Sequence, residues 1–112
     1  MINYNNKKFR VISNSENGEV NEDLIFEYRQ NGDILHCNYH GGDIMVGHLL
    51  GIVAPDGMIR MSYHQINKAR QINTGICISS PEITANGKIK LHESWQWTNG
   101  DLSKGESILE EI

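Results

Sequence analysis

Proline and cysteine are both scarce, two of each in 112 residues. Two cysteines, Cys37 and Cys77, cannot supply the disulfide framework of a small secreted domain, so a reducing cytoplasm is the expected setting. No apolar run approaches the ~20 residues that a membrane-spanning helix requires. The first residues, Met1 to Asn6, lack the apolar core of a signal peptide. Basic charge is also short: the formal net charge is −4, and Lys7, Lys8 and Arg10 make only a small surface cluster. That argues against nucleic acid as the main partner, because phosphate binding needs a basic face. Neither GxSxG, a P-loop, a Rossmann fingerprint nor HExxH occurs, and no segment sustains a helical period.

What is present is turn chemistry. Eleven glycines stand among 38% hydrophobic and 21% charged residues, a balance that suits one soluble domain over residues 1–112 with a single modest core. Turn signals of the two-residue hairpin type occur at Asn31-Gly32, Gly41-Gly42, Asp56-Gly57 and Asn86-Gly87, with Lys68-Ala69 a weaker one. Between Asn86 and Asp101 polar and large residues alternate with period two, as in a strand with one buried face. Ile89, Leu91, Glu93, Trp95 and Trp97 share its larger face.

Residues that pair across a two-residue hairpin point to the same face. Propagating inward faces back from Leu91, Glu93, Trp95 and Trp97 selects Ile76, Ile78 and Ser80, then Ile72 and Thr74 opposite Gln65, Tyr63, Met61 and Ile59. Ile44, Val46, His48, Leu50 and Ile52 follow, then Tyr39, Cys37 and Leu35, and finally Leu24, Phe26 and Tyr28. The expected strands are 22–30, 33–40, 43–54, 58–67, 70–85 and 88–98, with Phe9–Ile12 and Ser107–Glu111 at the ends. Eight antiparallel strands with one apolar face close best as an all-β up-and-down meander barrel, which removes both edges. A β-sandwich would need longer crossovers than these turns provide.

Residues Phe9–Val20, Tyr63–Asn67, Thr74–Cys77 and Leu91–Asp101 resemble a family of small bacterial proteins of about this length. Its members often carry the name N-acetylglutamate synthase, and in architecture they resemble avidin- and lipocalin-like barrels of the calycin kind. The name implies an acetyltransferase that cradles the pyrophosphate of acetyl-CoA at a glycine-rich turn opening a helix. Neither the turn nor the helix is legible in this chain.

Glu93 is the one candidate for catalysis, since a carboxyl between Leu91 and Trp95 loses solvation and its pKa should rise. Tyr28, Tyr39, His48, Tyr63, Gln65, Trp95 and Trp97 join it as the expected ligand-binding set, with Thr74 beside them. That is more polar decoration than a solid core needs, although a small barrel can equally be filled by side chains. His36, His40, His64 and His92 fall on the outer face, and His36 and His40 lie ~13 Å apart along a strand, so no metal and no cofactor is expected. Met45, Leu49 and Val53, spaced by Gly47 and Gly51, read as an outward apolar stripe that is either a homodimer contact or a surface covered by the N-terminal segment. Three functions stay open. One is a cytoplasmic barrel binding a small apolar or aromatic molecule, with Glu93 as polar anchor. Another is an enzyme using Glu93 as general acid or base, and the third is a filled barrel acting through its outer face.

Overall fold

The computed structural model describes residues 2–19 and 24–112. Among the described residues nine strands follow one another: β1 Lys8–Asn14, β2 Ile25–Glu27, β3 Arg29–Asn31, β4 Ile34–Gly41, β5 Ile44–Val53, β6 Ile59–Asn67, β7 Ile72–Ile83, β8 Ile89–Trp97 and β9 Lys104–Glu111. All belong to one antiparallel sheet in the order β2-β1-β9-β8-β7-β6-β5-β4-β3. The sheet curls into a nearly closed barrel, and residues 25–31 bridge its two ends. Their first half pairs with β1 and their second with β4. Between the halves, Tyr28 exchanges backbone hydrogen bonds with Asn6 and Lys7 instead. This change of partner makes two short strands of the described part of the expected 22–30, so the count among the described residues is nine rather than eight. Glu22 and Asp23, its expected first residues, lie outside the described residues.

All eight aromatic residues of the chain turn into the interior. Tyr4, Phe9 and Tyr28 close one end, with the Phe9 and Tyr28 ring centroids 5.0 Å apart and the Tyr4 hydroxyl donating to the Gly57 carbonyl. The opposite end is the mouth. Each such ring buries roughly 150–250 Å², and apolar burial is the dominant favourable term in folding.

The barrel meander is as expected, but the faces of β5 and β7 are reversed. Three hairpin turns are one residue longer than two-residue turns. In each, flanking residues pair (Ala54 with Met58, Asn67 with Gln71, Thr84 with Lys88), and the third loop residue takes a left-handed conformation. Those residues are Gly57, Arg70 and Gly87, at φ of 89°, 64° and 81°. This is the three-residue loop in which a type I turn ends on a left-handed residue. Each added residue flips the next strand, so consecutive errors cancel. Crossing from β8, the first flip reverses β7 and the second restores β6.

A third flip, between β6 and β5, reverses β5. A shifted turn at Gly42-Asp43 and a bulge at Met45 and Val46 then restore β4. Hence Cys77 and Ser79 point inward while Ile72, Ile76 and Ile78 are exposed and Ser80 is only half-buried. On β5, Gly47, Leu49, Gly51 and Val53 point inward, while Val46, Leu50 and Ile52 are exposed. His48 and Thr74 also lie on the outer face.

The inward side of β5 looked the less apolar because it holds two glycines. An aromatic ring explains the first. Tyr39 pairs with Gly47, Tyr63 with Gly75 and Trp95 with Gly105. In all three pairs a Cβ on the glycine would fall inside the ring opposite. The glycines are places vacated for aromatics lying across the neighbouring strand.

Candidate functional site

Above the Tyr4–Phe9–Tyr28 floor, β8 carries Glu93, Trp95 and Trp97 up one wall toward the mouth. The cavity beside them has a volume of about 60 Å³. A water needs ~10–15 Å³ on this measure, so the space holds a few waters and no more. Seven of the eight residues expected to bind a ligand line it: Tyr28, Tyr39, Tyr63, Gln65, Glu93, Trp95 and Trp97. His48 does not. It sits on the outside of β5 with its ring 5.6 Å from that of His64, because the longer turn at Pro55-Asp56-Gly57 reverses the strand.

Glu93 occupies the middle of a polar row. Ser79 on β7 and Ser107 on β9 are its direct cross-strand partners. Ser79 Oγ–H donates to Oε2 over 2.9 Å and Ser107 Oγ–H to Oε1 over 3.2 Å. The expected neighbour was Ser80; the longer turn at Ala85-Asn86-Gly87 supplies Ser79 instead. Burial pushes the Glu93 carboxyl up to about 7, against the opposing pull of hydrogen bonds from Ser79, Ser107 and Cys77. The surface it still exposes faces the cavity, which accounts for its half-buried area in a fully enclosed position. Burial and the adjacent Glu93 charge together raise the Cys77 thiol, so it is no nucleophile. Cys37 is raised to about 12, chiefly by burial.

The rings above Glu93 form a continuous apolar wall. Trp95 and Trp97 meet edge to face at 5.7 Å, and Tyr63 meets Trp97 at the same separation. Such contacts hold the rings in fixed orientations.

The mouth is closed by the strap Ser15–Glu19 that follows β1. Trp97 Nε1–H donates to the Asn17 carbonyl over 3.0 Å, and Asn17 Nδ2 donates to Ser103 Oγ and the Lys104 carbonyl. Glu19 reaches the rim, where Gln65 Nε2, Asn67 Nδ2 and Asn73 Nδ2 each donate to its carboxylate over 2.8 Å. Partial burial would raise this carboxyl, but the three donors outweigh it and hold it below its ordinary value.

Glu19, Asn67, Asn73, Ser79 and Ser107 were not singled out from the sequence. The serines become legible once β7 and β9 are registered against Glu93. Glu19 joins residues 46 to 54 positions away, and nothing local announces that.

A floor of aromatics, a polar row at mid-depth and a strapped mouth describe a barrel built around its interior. Residues 2–112 match the family model described as Avidin-like protein. No curated protein and no solved structure matches the chain. With the match spanning nearly the whole chain and the meander barrel observed, this chain belongs to the avidin-like protein family.

Proposed function

We propose that the chain is a small-molecule-binding barrel whose ligand sets an apolar or aromatic body against Tyr63, Trp95 and Trp97. The ligand offers an N–H donor or a cation to Glu93. The observation that carries this reading is the buried carboxylate opening onto a cavity walled by aromatic rings. A binding site of this kind is a mostly apolar concavity with a few placed polar groups. A cationic ligand needs Glu93 ionised, so its affinity should rise with pH through about 7.

Benzylamine, titrated by tryptophan fluorescence into Glu19→Ala, where the strap loses its hold on the rim and the closed space of about 60 Å³ can widen, tests this. Its affinity should increase roughly tenfold from pH 6 to pH 8, following the ionised fraction of Glu93, and most of it should be lost when Glu93→Gln is added. Equal affinity at the two pH values, or an unaffected Glu93→Gln, would sink the proposal. Native mass spectrometry of the purified chain would show any retained ligand.

A carboxyl near 7 is also suited to general acid–base chemistry, which supports the enzyme reading. In that case Glu93→Gln would abolish turnover while leaving binding only modestly weakened. The two free cysteines support a cytoplasmic setting.

A homodimer through Met45, Leu49 and Val53 does not survive the register, since Leu49 is 4% and Val53 2% exposed, inside the core. The outer face that fits a second copy holds Ile34 paired with Ile52 and, two strands on, Ile78. Beside them lie Leu50 and Ile76, all at least 40% exposed. Apolar side chains massed across neighbouring strands favour burial against another surface. Sedimentation velocity should show a dimer that Ile76→Glu converts to monomer. A native chain that sediments as a monomer rules the dimer out.

A further inference from the structure

Gln65, Asn67 and Asn73 converge on one carboxylate from three directions, and each is held in place by something other than Glu19. The Tyr39 hydroxyl donates to Gln65 Oε1 over 2.7 Å, which turns the Gln65 NH₂ toward the mouth. Asn67 Oδ1 accepts the Gln71 backbone N–H over 3.0 Å. Asn73 Oδ1 accepts from Asn99 Nδ2 over 3.2 Å. With every amide oxygen committed elsewhere, the NH₂ groups face the Glu19 position whether or not Glu19 is there. With Glu19 seated, Gln65 and Asn67 are 3% and 7% exposed, and the Asn67 NH₂ is further oriented by donating to Gln71 Oε1 over 2.9 Å. Three uncharged donors for two oxygens suit a planar monoanion.

The strap itself is attached by a handful of hydrogen bonds and contributes no strand. Apart from Tyr28, Gly18 and Glu19 are the lining residues that lie off the strands. With the strap in place the cavity is about 60 Å³, well short of the ~300–1,000 Å³ of ordinary ligand sites.

We propose that Gln65, Asn67 and Asn73 form a carboxylate receptor at the barrel mouth, which Glu19 occupies as an internal competitor and a carboxylate-bearing ligand takes over. The exchange leaves no donor orphaned and moves the strap aside in the same step. This rests on the reading that the barrel takes a small molecule, and it adds a second recognition point and a built-in inhibitor.

Acetate is the probe, with acetamide as its uncharged counterpart and chloride as the ionic-strength control. Glu19→Ala should bind acetate at least about tenfold more tightly than the native chain, a difference of ~1.4 kcal/mol. Acetate alone among the three should raise its unfolding temperature. The side-chain NH₂ resonances of Gln65, Asn67 and Asn73 should shift on addition of acetate to the variant and stay unmoved in the native chain. Glu19→Gln keeps the side-chain length, sets an NH₂ against the donors, and should behave the same way if Glu19→Ala folds poorly. Acetamide acting as well as acetate, shifts elsewhere, or no response in either variant overturns the receptor. Binding of benzylamine, which has no carboxylate to engage the mouth, measured in parallel on Glu19→Ala, reports on the Glu93 site. If it persists while acetate fails, the mouth receptor is wrong and the deep site stands; the reverse result condemns only the Glu93 reading.

Discussion

Raising the pH from about 5 to about 8 should cost the native chain on the order of 3 kcal/mol of stability, and Glu93→Gln should remove that loss. The sign follows from the direction of the shift. Burial raises the folded-state carboxyl to about 7, above its ordinary 4.5, so the folded state holds a proton that the unfolded state has released. The protonated form's contribution is complete below the unfolded value and disappears as pH climbs through about 7. Glu19 works in the opposite direction, but its pKa is lowered. Its contribution is therefore already present by the time Glu93 begins to ionise, and the two windows separate.

In Glu93→Gln the amide occupies the same space, accepts from one serine hydroxyl and donates to the other. Above pH 8 the variant should melt on the order of 10 °C higher than the native chain, whereas near pH 5 the two should melt together. Thermal unfolding followed by circular dichroism at both pH values decides it. A native chain whose unfolding temperature is flat across this range would show that Glu93 keeps its ordinary pKa and is solvated.

Replacing Gly75 or Gly105 by alanine should destabilise the barrel by about 1–3 kcal/mol, as overpacking of a core does. At an open strand position the same change would stabilise by relieving the entropy cost of glycine, so the sign alone is diagnostic. The added Cβ meets Tyr63 at position 75 and Trp95 at position 105. Neither ring can slide far, since Tyr63 and Trp95 both pack against Trp97. Urea unfolding of Gly105→Ala, with the tryptophan emission of the native baseline recorded alongside, reads both the energy and the displaced ring. Trimming the ring should recover part of the loss: Tyr63→Leu with Gly75→Ala should couple favourably by 0.5 kcal/mol or more in a double-mutant cycle. Additive effects would show that ring and glycine do not share one space.

These two predictions bracket what was legible. Leu91, Glu93, Trp95 and Trp97 were placed inward on the alternation of β8 alone, and the structure agrees. Tyr63 and Gln65 followed because two errors in turn length cancelled, and Tyr28 and Tyr39 because the bulge at Met45 and Val46 offset the third. His48 failed because it sits on β5, between two such errors, and its polar character made it attractive as a lining residue. Leu49 and Val53 failed together with it, for the same reason.

The order of residue types along the chain determined the all-β meander, since period-two alternation cut by glycine and asparagine turns suits no other regular structure. It also determined that a carboxylate would share a face with both tryptophans, because side-chain parity within one strand needs no partner. Tertiary structure alone decided which faces of β5 and β7 turn inward. One left-handed residue in a turn reverses a strand, and a glycine reads as an inward position only when the ring filling it is seen across the ladder. Tertiary structure also decided that Glu19 would meet Gln65, Asn67 and Asn73. Closing the barrel brings strap and rim together, and a hydrogen bond acts over about 3 Å of space regardless of the separation in sequence.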